Sequence, residues 1–290
     1  MIYSLTDSDL KTSSAVLRVH GPDANTYLQG QFTQDLRVAK GESSYGLWLD
    51  QKGKVLADSH VRKEAENDYL VVSFSSKATD LRARLESYLI ADEVELEDQT
   101  SSWAGILLWG AGASEVIPPD GVLALPSRRA GSGSTQWLVP IDALPTAQRA
   151  LTGVATPAEQ AAAERARLRA ATPSIPRDIG PRDLPNEGNL EDVAISYTKG
   201  CYLGQEVMAR LKNLGQVRRK LHLVRGHGAP PLPGAALFQG ERKVGETRSA
   251  VEEGEGFLAM AMLSLVNLDP SAGLAMAAGA KADITIVQRV

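Results

Sequence analysis

The eight residues Lys199-Gly200-Cys201-Tyr202-Leu203-Gly204-Gln205-Glu206 hold the most reactive chemistry in the chain, because Cys201 is its one cysteine among 290 residues. A thiol acts as nucleophile or metal ligand in its thiolate form, which cationic neighbours or a helix N-terminus favour. The spacing of Val207, Leu211 and Leu214 predicts a helix starting near Cys201, with Gly215 just past its end. The thiol would then sit on the first turn, where orphan N–H groups and the helix dipole attract an anion. Lys199 would push in the same direction. Gly200 and Gly204 allow close backbone approach to a ligand or a packed neighbour, and Gln205 and Glu206 also suit first-turn capping. An isolated cysteine is more often a small buried hydrophobe.

A lone thiol cannot form an internal disulfide, a four-ligand zinc site or a Cys-ligated cluster. The four histidines, His20, His60, His222 and His227, are scattered, so no intrinsic metal is expected. With 31 basic and 35 acidic side chains the net charge is −4, and 43% of residues are hydrophobic, an ordinary globular composition. The N-terminus carries acid where a signal peptide needs base. The most apolar stretch, Phe257 to Leu268, is too short to span a bilayer. These features predict a soluble protein of a reducing cytoplasm, with no membrane partner. Between residues 207 and 240 there is no acid, but Arg210, Lys212, Arg218, Arg219, Lys220 and Arg225 are present. Such a run is a solvated face or a positive field for an anionic ligand. Its one aromatic, Phe238, argues against direct nucleic-acid binding.

The elements that must position these residues read as α+β, not doubly wound, and no G-x-G-x-x-G follows a strand. Strands are expected at Ala15 to His20, Tyr45 to Asp50, Val55 to Lys63, Tyr69 to Val72, Val94 to Leu96 and Gly105 to Leu108. A short helix carries Tyr27 and Leu28. A second, capped by Ser76, carries Ala78, Leu81, Leu85 and Leu89. Residues 111–135 read as irregular. Thr156-Pro157-Ala158-Glu159 looks like a capping box opening a helix that runs to about Ala171. Residues 173–189, with four prolines, form an extended loop. Beyond Gly215, short strands separated by Gly or Pro turns fit a small β-barrel, dividing the chain into 1–215 and 216–290.

Lys199 to Glu206 resembles the K-G-C-Y-x-G-Q-E signature of the YgfZ family of folate-binding proteins, relatives of the T-protein (aminomethyltransferase) of the glycine cleavage system. Gly21-Pro22-Asp23-Ala24 with Tyr27 to Gln31 and Thr33-x-Asp35 is similar to the family's N-terminal block. Asp50 to Lys54, Leu184 to Glu187, Ile195 to Tyr197, Ala209-Arg210 and Gly245 to Ala250 are similar to later blocks. The resemblance implies lobes around a central cavity for tetrahydrofolate or a related folate, plus a C-terminal β-barrel. It also implies partners among iron–sulfur proteins or cluster carriers, and a role in their assembly or repair that supports tRNA modification. It carries Cys201 and Lys199 as acting residues and Asp58, Gln31 and Ser73 as folate contacts. The T-protein has two adjacent aspartates after its glycine hairpin; here the pair is Ala57-Asp58, and its later asparagine corresponds to Ser73. One carboxylate is absent, which weakens aminomethyl transfer and leaves folate binding. A one-carbon transferase is the alternative, and a non-catalytic protein- or RNA-interaction module a third reading.

Overall fold

The computed structural model describes residues 1–6, 15–266 and 268–289. Strict alternation along Val55–Ala65 turns Val55, Ala57, Ser59 and Val61 to a buried face and Leu56, Asp58 and His60 to the other. This strand is second in an antiparallel sheet ordered Ser43–Leu49, Val55–Ala65, Asp68–Ser73, Ala15–His20 and Glu95–Asp98. Helices Ala24–Gln31 and Ala78–Glu86 bury Tyr27, Leu28, Leu81 and Leu85 in one core with Trp48, Ala57 and Val61 of this sheet.

A second sheet runs Thr156–Pro157, Ile2–Thr6, Trp103–Trp109, Ser134–Pro140 and Leu123–Ser127. It is antiparallel except for the first pairing. Val16, Leu70 and Val72 of the first sheet pack on Leu125 and Leu138 of the second. The third sheet runs Ala236–Gln239, Arg242–Glu253, Gly256–Ser264, Arg219–His227 and Thr285–Arg289. No ladder joins its edge strands among the described residues, so the expected barrel is an open sheet here. Isolated bridges Phe238–Ala275 and Leu274–Ile284 draw the two edges toward one segment.

Three expectations are corrected and one element is added. The "irregular" 111–135 contains the strand Leu123–Ser127; Pro126 is tolerated because this is an edge strand, where a missing N–H costs no ladder bond. The helix after residue 156 starts at Gln160, because Thr156–Pro157 pairs with Ile2 and Tyr3 instead of capping. Helix Ala78–Glu86 begins after Lys77, with no side-chain cap; the Ser73 hydroxyl accepts from Ser76 N at 3.0 Å and organises that turn. A further helix, Leu144–Ala150, follows a 3₁₀ turn that the sequence did not signal.

The proline-rich loop 173–189 makes one 3₁₀ turn, Pro185–Gly188, and is otherwise irregular, yet it is buried at the junction of the sheets. A buried loop must satisfy its polar groups without a ladder. Asp178, 0% exposed, accepts from Arg167 Nη1 at 2.7 Å, Ser174 N at 2.8 Å, Ser249 N at 2.9 Å and the Ser249 hydroxyl. Asp183 accepts from Arg219 Nη2 at 2.9 Å, Arg248 Nη2 at 3.2 Å and Gly180 N at 2.9 Å. These contacts join helix Gln160–Arg169 and the third sheet through the loop. Removing one partner of such a buried pair strands the other charge. Asp178→Ala is therefore expected to lower stability by about 3 kcal/mol, the low end of that effect because Glu164 still pairs with Arg167. Denaturant unfolding measures the loss.

Candidate functional site

Tyr45, Asp58, His60 and Ser73 of the first sheet line a cavity closed by Ser127, Arg128 and Arg129 after the edge strand of the second sheet, and by Arg167 and Thr172 to Ser174. Its enclosed space is about 140 Å³, and about 730 Å³ with the open mouth and the solvent beyond it included. Asp58 Oδ2 accepts from the Tyr45 hydroxyl at 3.0 Å and Oδ1 from the Ser73 hydroxyl at 3.4 Å. Removal from bulk water pushes the Asp58 carboxyl up to about 6, against the hydrogen bond from Tyr45 and the charge of Arg129. Burial pushes His60 down to about 4, so it is neutral; its ring lies 5.1 Å from that of Tyr45 and 6.2 Å from that of Phe74.

Arg129 carries the opposite charge. Its Nη1 is buried without a hydrogen-bond partner among the described residues, and burial, aided by Arg167, pushes its guanidinium below the ordinary value. An unmet buried donor is costly. Arg129 also lines a groove of about 1,140 Å³ bounded by Glu164 and Arg177, so cavity and groove share a wall. The cavity thus has a carboxylate near its ionisation point on one wall and, on another, a cation with one unmet donor whose strongest favourable charges are Glu164 and then Asp58. Sequence reading found Asp58 and Ser73 but missed Arg129, Tyr45 and His60. The alternation that faces Asp58 inward also faces His60 inward, so that residue was recoverable; Arg129 follows a strand that the proline concealed.

Gln31 lies elsewhere: its Oε1 accepts two bonds at 3.0 Å from Arg84, whose guanidinium also donates to Leu49 O. It is a strut under the hairpin, not a cavity residue. Ala57 is 3% exposed in the apolar core on the opposite side of the sheet from Asp58. An aspartate at 57 would therefore face that core, and only Asp58 of the pair can reach the cavity.

The signature segment is a second location. Helix Gln205–Leu214 begins at Gly204, so Cys201 precedes it instead of occupying its first turn. The thiol is exposed and is not a cavity-lining residue. Gly204 has φ +86°, and a Cβ there would meet Asp50 O at 2.8 Å, while a Cβ on Gly53 (φ +73°) would meet Met208 at 2.8 Å. These two glycines interlock the hairpin 50–54 with the helix. A Cβ on Gly200 would meet open space, so close approach does not explain that glycine. Tyr202 is buried in the main core, Glu206 stands in the first helical turn, and Arg210 is exposed. Lys199, expected beside the thiol, is 5% exposed and its ammonium donates to the carbonyls of Gln29, Phe32 and Gln34.

The basic run is partly neutralised from elsewhere in the chain: Arg219 pairs with Asp183 and Glu187, and Arg225 with Glu253. Lys212 lies 3.9 Å over the Tyr197 ring and Lys220 donates to Asn189. A strong local positive field is thereby reduced. One cluster of metal-ligating groups, His20 with Glu95 and Glu97, exists among the described residues, with both acids exposed.

The model of the GCVT N-terminal domain matches residues 9–119. The glycine cleavage system aminomethyltransferase T of Bartonella henselae superposes over 98% of this chain and 85% of its own, with a TM-score of 0.78 at 20% identity. The tRNA-modifying protein YgfZ of Aliivibrio fischeri is 29% identical over 257 residues, covering 84% of this chain and 77% of that protein. Its counterpart in Vibrio atlanticus is 27% identical over 236 residues, 78% and 72% of the two chains. The chain resembles the YgfZ proteins and has the T-protein fold. The similarity to YgfZ covers more of the chain than the matched N-terminal domain. A mitochondrial iron–sulfur cluster assembly factor IBA57 homolog of Pyricularia oryzae is 27% identical over 219 residues, 72% of this chain and 54% of that one. No helix among the described residues is long and apolar enough to cross a membrane.

Burial holds the Asp58 carboxyl above its ordinary range in the folded chain. The carboxyl ionises less readily in the folded chain than in the unfolded one, so its contribution to stability is full below about pH 4. It is lost as pH rises through about 6. Carboxyl ¹³C titration should place the Asp58 midpoint near 6. Tyr45→Phe, which deletes a bond favouring the anion, should move it higher. Asp58→Asn should remove the stability loss over that interval.

Proposed function

We propose that this chain holds a reduced folate in the cavity at Asp58 and supports assembly or repair of iron–sulfur proteins, including those that modify tRNA, through the thiol of Cys201. The observation that carries the reading is the cavity's pair of unlike walls, Asp58 with Tyr45 and Ser73 on one and Arg129, with its unmet Nη1 donor, on another. A reduced folate fits both, having N–H donors on its ring system and carboxylates on its tail. Asp58 and Ser73 accept and donate to the ring edge, Arg129 meets an acceptor or carboxylate, and Tyr45 and Phe74 give apolar contact. A bound tetrahydrofolate supplies a carrier for one-carbon units. The relatives named for tRNA modification and for iron–sulfur cluster assembly support the second half of the reading. A cytoplasmic location accords with the lone reduced cysteine.

In this reading the cavity and the thiol have separate tasks. One thiol cannot hold a cluster, so Cys201 contacts a cluster or its carrier together with ligands from the partner. Exposure of the thiol suits that contact. The observation favouring a transferase is Asp58, whose carboxyl at about 6 is placed to accept a proton near neutrality. Turnover of an aminomethyl donor by the purified protein would decide for the transferase. Folate binding without turnover decides for the accessory role.

Calorimetric titration with tetrahydrofolate should show Asp58→Asn and Arg129→Met each weakening binding by about tenfold, the size of one charge-assisted hydrogen bond. Cys201→Ala should bind folate as the wild type does, yet fail to restore iron–sulfur enzyme activity in a deletion strain. Full rescue by that variant removes the thiol from the mechanism, and unchanged affinity in both cavity variants removes folate from the cavity.

A further inference from the structure

Lys199 stands two residues before the thiol, and its ammonium has no carboxylate partner among the described residues. Nζ instead donates to three backbone carbonyls, those of Gln29 at 2.7 Å, Phe32 at 2.6 Å and Gln34 at 3.1 Å. An ammonium has three N–H donors, so its capacity is filled. These carbonyls lie at and just beyond the C-terminal end of helix Ala24–Gln31, where unpaired carbonyls and the helix dipole concentrate partial negative charge. The Tyr202 ring lies 5.4 Å from Nζ and closes the cage from another side. Burial pushes the amine down to about 8. In this arrangement all three protons of Nζ are committed to backbone.

The same turn, residues 29–34, holds the signature segment at further points. Leu203 N donates to Gly30 O at 3.0 Å, Ser196 N to Thr33 O at 3.0 Å, and the Thr33 hydroxyl to Ala194 O at 2.6 Å. Cys201 lies midway between two of these anchors, Lys199 and Leu203. Its exposure is therefore set by how firmly its flanks are tied, since Gly200 on one side has no packing neighbour for a Cβ.

We propose that Lys199 is a positioning residue: its ammonium is the cation of a backbone carbonyl cage, and its seat there sets the presentation of the Cys201 thiol. The importance of this for the protein's work rests on the reading that Cys201 is the acting group, but the interaction is between atoms of this chain alone. A cage that binds an ammonium by three carbonyls accepts another small alkylammonium ion when the side chain is cut back. It does not accept the planar guanidinium of arginine in the same way, because the donors of a fork point in fixed directions.

The test is the rate of Cys201 alkylation by iodoacetamide in the purified full chain, with no folate and no cluster present. Lys199→Ala is expected to shift the rate by about tenfold, the scale of one charge-assisted hydrogen bond. Methylammonium chloride should return it toward the wild-type rate, while sodium chloride at equal ionic strength should not. Lys199→Met, which fills the space with an apolar chain, should be shifted and not restored. Lys199→Arg keeps the charge and guards against an alanine variant that does not fold; it should also be shifted. A wild-type rate in either the alanine or the arginine variant overturns the proposal, as does an altered alanine rate that methylammonium leaves unchanged. A failure of folate binding or of cluster-related rescue would leave all these rates as they are, so the two readings fail separately.

Discussion

The whole arrangement depends on a buried loop that has no ladder to satisfy it. Residues 173–189 carry four prolines and are largely buried, and short backbone turns such as Asp183 N to Gly180 O meet only part of their polar groups, so side chains must meet the rest. Asp178 and Asp183 meet this need by drawing in Arg167, Arg248, Arg219 and Ser249. A carboxylate in a low-dielectric interior is tolerated only with such partners. Because Arg167 and Ser174 also form part of the cavity wall, the loop's own electrostatics shape the binding space. The cavity exists where the loop, the helix Gln160–Arg169 and the first two sheets leave room around these pairs.

Inside that space the charge logic is reversed. Asp58 and Arg129 interact, as the effect of each on the other's protonation records, but no hydrogen bond joins them. Asp58 is held by the weaker, neutral hydroxyls of Tyr45 and Ser73, and Arg129 keeps an unmet donor. Two opposite charges left unjoined in a poorly solvated cavity are costly for stability and useful for recognition, since a ligand that satisfies both recovers the deficit. The structural pairs nearby, Arg167 with Asp178 among them, show what these side chains look like when their purpose is cohesion.

The thiol belongs to a different face of the same framework. Thr33 and its neighbours connect the two: Leu47 N donates to the Thr33 hydroxyl, Leu47 pairs in register with Asp58, and the same hydroxyl donates to Ala194 O, beside the cavity residue Val193. The turn 29–34 therefore touches the strand pair that carries the cavity carboxylate and the segment that carries Cys201. Such adjacency is a physical link without being evidence of coupling.

Local pattern by itself determined a good deal here. The alternation in Val55–Ala65, the apolar spacing of the first helices and the glycine hairpin at 50–54 are set by neighbours a few residues away, so they were legible in one dimension. The eight-residue signature, and with it Asp58 and Ser73, was legible through the resemblance to a known family and not through local patterning. Thr156–Pro157 and Leu123–Ser127 were misread because their pairing partners, Ile2–Tyr3 and Ser134–Pro140, decide their state, and pairing overrides a capping pattern or a proline. Only the tertiary structure decided what each polar side chain does. It moved Lys199 from the thiol to a carbonyl cage, Gln31 from the ligand to Arg84, and placed Arg129, unremarkable in sequence, in the cavity wall with one donor unmet among the described residues. The physical reason is that a hydrogen bond or a charge takes its strength from partners and burial. Those are fixed by contacts across 50 to 170 residues of chain, as between Arg84 and Gln31 or Lys199 and Gln29, which no local spacing encodes.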